Sequence, residues 1–380
     1  MTPPLLRQGD SGPGVADIRE RLVRLGFCEP AGRHIAHDVF DEGLADAVRA
    51  FQQNRGVPVD GVVGPQTFRH LDEARWSLGD RVLLFNPGHL MSGDDVLSLQ
   101  QRLVNLGFDC GRPDGVFGVA TDSALREFQR NVGVNADGMC GPDTFRALHR
   151  LTRTVGEGEL ASPLRERITW DSVRSGVAGK VIVLDPGGAD ADEDLAETEA
   201  AIIADVCARL EGRLAAVGTQ VLMTRPPTPT LIPEGTRAAF ANEIGADLVI
   251  SLHVERVHLP NANGIASFYF GDPGGGPYSF SGRLAANLMH DAVCQRTDLT
   301  DCRTHPRTWD LLRMTRMPAV WLELGYLSHP RDAARLADPR FRDTVADGVA
   351  AGVIAYFSPD ATPVDTAAQD TTPRKSAQSE

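Results

Sequence analysis

Three polar positions follow directly on short apolar runs, and their residue types could do chemistry together. Val181-Ile182-Val183-Leu184 runs into Asp185-Pro186-Gly187-Gly188, Leu248-Val249-Ile250-Ser251-Leu252 into His253, and Ala319-Val320-Trp321-Leu322 into Glu323. Glu199 opens the long apolar-periodic stretch after the first run. Strand ends of this kind hold ligands in open α/β sheets, so these polar groups could share one site. Each residue also has a structural reading. Glu199 at a helix start is favoured by the dipole alone, and His253 could bond a loop carbonyl. Glu323, between Leu322 and Leu324, is costly in a buried strand unless it is paired, hydrogen-bonded or metal-bound.

The elements that must position these groups read as an α/β layer. Val181–Leu184, Val221–Met223, Leu248–Leu252, Ala266–Phe270 and Ala319–Leu322 are strand candidates. Ile203, Val206, Leu210, Leu214 and Val217 recur at three- or four-residue spacing and mark a long helix; 283–293 and 341–357 supply others. Such alternation predicts a mostly parallel sheet with helices on its faces. Ligands sit at the carboxyl ends of strands in such sheets, so the three polar ends are expected to converge.

The first half repeats itself. Val15, Ile18, Leu22, Leu25, Gly26 and Phe27 match Val96, Leu99, Leu103, Leu106, Gly107 and Phe108, and a second block from Phe51 to Leu71 matches Phe128 to Leu148. The offset drops from 81 to 77, so the first copy carries four extra residues near Ala31–Ala36. Each copy reads as three helices, with proline at the third helix start and Asp-Gly turns at 60–61 and 137–138. On these residues both copies resemble the peptidoglycan-binding module found beside bacterial cell-wall hydrolases. The resemblance implies a binding role for Asp114, Gly115, Phe117 and Gly118 of the second copy. The first copy reads Asp38-Val39-Phe40-Asp41 there, without the glycine, and has Leu44 where the second has Thr121.

Residues 179–358 resemble the zinc-dependent N-acetylmuramoyl-L-alanine amidases. The likeness rests on Val183-Leu184-Asp185-Pro186-Gly187, Arg237 with Ala241-Asn242, Gly245 to His253, and Pro318 to Ser328. In that family a histidine after Asp-Pro-Gly, a glutamate at the next helix and the histidine of Ser-Leu-His hold zinc. Glu199 and His253 match the second and third ligands, and Glu323 matches the catalytic glutamate. At the first ligand position stands Gly188. Asp190, Asp192 or water could fill that place, yet zinc is expected to be weak or absent. The whole chain also resembles the actinobacterial CwlM-type proteins, a group regarded as cytoplasmic regulators of peptidoglycan precursor synthesis. That likeness implies an enolpyruvyl transferase and a Ser/Thr kinase as partners.

The resulting plan is multidomain. Two small all-α three-helix peptidoglycan-binding-like modules occupy 1–80 and 85–150. A linker at 151–178 packs partly on the next domain, an amidase-like α/β domain spans 179–358, and a disordered tail covers 359–380. That tail offers Thr362, Thr366, Thr371 and Thr372 as phosphorylation candidates. The formal charge of −13 argues against nucleic acid and anionic membrane surfaces as partners, and no apolar run is long enough to span a bilayer. The first ten residues lack a secretory signal, which makes the cytoplasm the expected location and the cell wall the alternative. Six scattered cysteines form no zinc-ribbon pair and are expected to be mostly buried thiols, although Cys294 and Cys302 are close enough in sequence to bridge. Two readings stand: a catalytically impaired regulator, and an active zinc amidase cleaving the lactyl–L-alanine amide of peptidoglycan.

Overall fold

The computed structural model describes residues 5–29, 37–152, 166–167, 170–171, 174–187, 193–226, 232–256, 262–271 and 278–359. Gly188, Asp190 and Asp192 lie outside them, as do Thr362, Thr366, Thr371 and Thr372. The first repeat folds as α1 (Pro13–Arg24), α2 (Glu42–Arg55) and α3 (Pro65–Glu73), and the second as α4 (Asp94–Asn105), α5 (Val119–Val132) and α6 (Pro142–Thr152). Val15, Ile18 and Leu22 bury one stripe of α1, and Val96, Leu99 and Leu103 do the same on α4. Leu83 is fully buried in the second unit's core and pairs with Cys140. That unit therefore begins upstream of residue 85, the boundary suggested by the repeat.

One polar device recurs in both units. The buried Gln100 amide donates to Asp114 Oδ1 (2.8 Å), Val116 O (3.0 Å) and Thr121 Oγ1 (3.0 Å), and its oxygen accepts from the Gly115 N–H (2.8 Å). Gln52 and Gln129 repeat this around Asp60-Gly61 and Asp137-Gly138. At the place of Gln100 the first unit has Arg19, whose guanidinium donates to Val39 O (2.7 Å) and pairs with Asp41 (3.1 Å). A charged fork thus replaces the amide, and the glycine that bonds Gln100 is no longer needed.

The C-terminal domain contains β1 (Val181–Pro186), α7 (Glu193–Ala216), β2 (Gln220–Met223), α8 (Glu234–Ile244), β3 (Leu248–Glu255) and β4 (Ile265–Phe270). Next along the chain come α9 (Phe280–Cys294), β5 (Asp301–Arg307), α10 (Asp310–Met314), β6 (Ala319–Tyr326), α11 (Pro330–Ala337) and α12 (Pro339–Phe357). The six strands order as β2-β1-β3-β6-β4-β5, parallel throughout except for the antiparallel β4–β6 pair. Periodicity does not reveal β5, because Asp301-Cys302-Arg303-Thr304-His305-Pro306-Arg307 is a polar edge strand carrying a proline. From the linker, Trp170 is buried in the main core and its indole donates to Tyr356 O (3.2 Å). Cys294 and Cys302 are free thiols, so the bridge that their spacing allowed does not form.

Both helical units dock on the short helix α10. Arg313 forks onto Glu73 of the first unit (3.0 and 3.1 Å), and both side chains are buried. Arg112 of the second unit donates to the carbonyls of Leu312, Arg313 and Thr315, capping the end of α10. Arg55 of the first unit pairs with Asp94 of the second (2.6 Å). Val57 inserts into the apolar cluster that holds Trp309 and Trp321. Burial drives the Glu73 carboxyl up, but the His70 hydrogen bond and the Arg313 guanidinium outweigh it and hold the group well below its ordinary value. Burial also lowers His70 against the opposing pull of Glu73.

Arg313→Met would take the guanidinium from the buried Glu73 carboxylate, leaving it the His70 contact (3.4 Å), and should cost about 3–5 kcal/mol. In calorimetry of the full chain, the transition that releases the helical units should move down. An unchanged transition would remove this pair from the docking energetics. The folded state binds protons on His70 and Glu73 more weakly than the unfolded chain does. Docking stability is therefore present at neutral pH and falls as pH drops, first below about 6.5 as His70 must charge, then through the carboxylate range. His70→Gln should flatten the first part of that profile.

Candidate functional site

Strand register assembles the site. Asp185 of β1 pairs with Ser251 of β3, and Ser251 pairs with Trp321 of β6; two residues on, His253 stands opposite Glu323. Neighbouring strands lie about 4.8 Å apart and alternate residues share a face, so all five side chains rise from one side of the sheet. The β3–β6 pairing shifts register just after His253. Such irregularities are common beside sites, where they re-aim side chains.

Asp185 is fully buried and both its oxygens accept hydrogen bonds. Thr224 Oγ1 donates to Oδ1, while the Arg237 guanidinium and Ser251 Oγ (2.5 Å) donate to Oδ2. Because the Ser251 proton goes to Asp185, its oxygen must accept from His253 Nε2 (2.8 Å). This chain assigns the Nε2–H tautomer and leaves the Nδ1 lone pair for a ligand. Burial, with Arg237 and Arg225 nearby, holds His253 well below its usual value, so the ring is neutral at pH 7. The ring stacks on Trp321 with centroids 3.4 Å apart. Gly187 is required by that placement, since a Cβ there would lie 2.2 Å from His253 Nδ1.

Glu199 does not open its helix. It occupies the second turn of α7, beyond the reach of the terminal dipole, and is buried (4% exposed). The Arg256 guanidinium, just past the end of β3, lies 3.7 Å from its carboxylate. Glu323 accepts from the Tyr326 hydroxyl (2.9 Å). Burial pushes its carboxyl up to about 7 against the opposing effects of Tyr326 and Arg307. A carboxyl poised there could exchange a proton at neutral pH.

A catalytic zinc shell needs three protein donors and an open position. Here the motif supplies Glu199 and His253, and glycine at 188 has no side-chain donor to add. Among the described residues, three donor atoms within 4.8 Å of one another occur at His290, Cys294 and Asp301, not at Glu199, His253 and Glu323. Among the described residues, the amidase-like site thus presents fewer donors than a zinc shell needs.

The residues expected to bind in the second helical unit are engaged structurally. Phe117 is fully buried, Asp114 accepts from Gln100 and from the Val116 N–H (2.8 Å), and Gly118 caps α5. Gly115 takes a left-handed turn conformation (φ 75). Asp114 and Gly115 also wall a cavity between the three folded units, together with Arg55, His70, Glu73 and Arg313. Sequence reasoning missed the roles of Asp185, Ser251 and Thr224. An aspartate ending an apolar strand was the available signal for the first, whereas nothing in the spacing signalled Arg256.

Two substitutions test the geometry. Gly187→Ala should force the His253 ring off Trp321 and destabilise the domain by about 1–3 kcal/mol, read by thermal unfolding. Ser251→Ala should abolish the slowly exchanging Nε2–H resonance of His253 in proton–nitrogen NMR; its persistence would contradict the assigned tautomer.

Residues 182–355 match the family model for N-acetylmuramoyl-L-alanine amidase, and residues 11–71 and 92–148 each match that for a peptidoglycan binding domain. The chain is 43% identical over 361 residues to the N-acetylmuramoyl-L-alanine amidase CwlM of Mycobacterium tuberculosis, covering 92% of this chain and 88% of that protein. It is 26% identical over 206 residues to the germination-specific N-acetylmuramoyl-L-alanine amidase of Bacillus subtilis, covering 50% and 85%. The catalytic domain of CwlV from Bacillus (Paenibacillus) polymyxa superimposes with a TM-score of 0.41 at 28% identity, over 47% of this chain and 97% of that one. The chain belongs to the N-acetylmuramoyl-L-alanine amidase family, and its CwlM-type plan joins two peptidoglycan-binding units to the amidase domain.

Proposed function

We propose that this peptidoglycan-directed, amidase-like protein is catalytically impaired and acts as a cytoplasmic regulator of peptidoglycan precursor synthesis. The observation that carries the reading is the donor deficit: glycine at 188, with the Arg256 guanidinium 3.7 Å from Glu199. A fixed cation beside that carboxylate supplies the charge balance that a metal would otherwise provide. The peptidoglycan-binding units support recognition of the polymer or its soluble precursors. Asp114, Gly115, Phe117 and Gly118 would then shape the second unit's binding surface rather than touch the ligand with every side chain. In this reading the partners are an enolpyruvyl transferase and a Ser/Thr kinase acting on Thr362, Thr366, Thr371 or Thr372.

A second reading, an active zinc amidase, is favoured by the Asp185–Ser251–His253 chain and by Glu323 with its raised pKa. Glu199 and His253 would hold the ion, which would supply Lewis-acid polarisation of the amide; Glu323 would hold and release a proton at its carboxylate.

The two readings separate on one set of assays. The unmodified chain should purify with less than one tightly bound zinc and release negligible peptide from peptidoglycan. Gly188→His should raise zinc affinity by about a hundredfold or more, the order expected for one restored ligand. Chelator-sensitive cleavage by the unmodified chain would overturn the regulator reading. Deleting residues 359–380 should leave the melting temperature nearly unchanged while abolishing kinase-dependent partner binding. Partner binding that persists in the truncated chain would exclude the tail.

A further inference from the structure

We propose that His290, Cys294 and Asp301 form a metal site for a borderline-soft divalent cation, zinc first among them. It lies on the opposite face of the sheet from His253 and is independent of whether the amidase-like site holds a metal. His290 and Cys294 are four residues apart on α9 and so project from one face of that helix. Asp301 begins the edge strand β5, and the three donor atoms lie within 4.8 Å of one another. Nitrogen, sulfur and carboxylate oxygen make a mixed donor set of the kind that zinc accepts with water in a fourth position.

The surroundings orient these donors. His290 is buried, with Nδ1 2.9 Å from Ser267 Oγ and Nε2 2.9 Å from Asp301 Oδ1. When a cation binds, Nδ1–H donates to Ser267 Oγ and the Nε2 lone pair turns to the metal, the usual arrangement for a ligating imidazole. Asp301 is held in place by the Arg303 N–H (2.8 Å), which reaches back because Arg303 adopts a left-handed conformation (φ 66). Arg303 is the only non-glycine residue in that region among the described residues. Strain of this kind tends to cluster at sites. The β4–β5 register also shifts here, between Ile265 and Ser267.

Charge fits as well. Binding would expel the Cys294 thiol proton to solvent and leave thiolate and carboxylate to balance the dication. The ion would tie the polar edge strand to α9.

Cobalt(II) titration of the reduced, metal-stripped full chain tests the site, because a cobalt–thiolate bond absorbs in the near ultraviolet and the amidase-like site contains no cysteine. The band should appear in the unmodified chain and in His253→Ala, and zinc should displace it. Cys294→Ser should abolish it, and Asp301→Asn, a substitution at an exposed side chain, should weaken cobalt binding at least tenfold. Absence of a thiolate band at saturating cobalt, or a band that survives Cys294→Ser, would overturn the proposal.

Discussion

The buried carboxylate of Asp185 is the constraint on which the site depends. A charge at that depth is tolerable only when donors meet both oxygens, and Thr224, Arg237 and Ser251 do so. Those partners come from α8, from the residue after β2 and from β3, so meeting one carboxylate fixes three elements against β1. The same demand dictates where the Ser251 proton goes, hence the tautomer of His253, hence which ring nitrogen is offered to a ligand. Function at this end of the sheet thus begins with the accounting of a single buried charge.

A second charge system joins the domains. Arg313 on the five-residue α10 meets Glu73, and Arg112 closes the end of the same helix, so one short element receives both helical units. Trp309 adjoins this docking surface directly and packs on Trp321 (4.7 Å), which in turn stacks on His253. The helical units are therefore in continuous packed contact with the amidase-like site. The Asp-Gly turn at 114–115 faces the cavity between units, which moves part of the second unit's expected binding surface into the interior of the assembly.

Much of the fold was legible because its signals are local. The repeat, the three-residue spacing on α1 and α4, and the apolar strands β1, β3 and β6 all arise from periodicity, and the polar residues at those strand ends do converge. What stayed hidden depends on tertiary pairing. Strand β5 has no apolar alternation, since an edge strand has less surface to bury. Glu199 looked like a helix start because its neighbours are polar, while α7 begins six residues earlier at Glu193. Arg19 in place of Gln100 explains a missing glycine only once the turn that it holds is seen. Arg256 carries no pattern at all, and its proximity to Glu199 comes from the chain path beyond β3.

The central proposal is that the amidase-like site retains its scaffold while lacking the donors for a tightly held metal. Anomalous diffraction at the zinc edge, from crystals of the full chain equilibrated with zinc, addresses it most directly. The account predicts no peak between Glu199 and the Nδ1 atom of His253. A fully occupied peak bonded to both would contradict it.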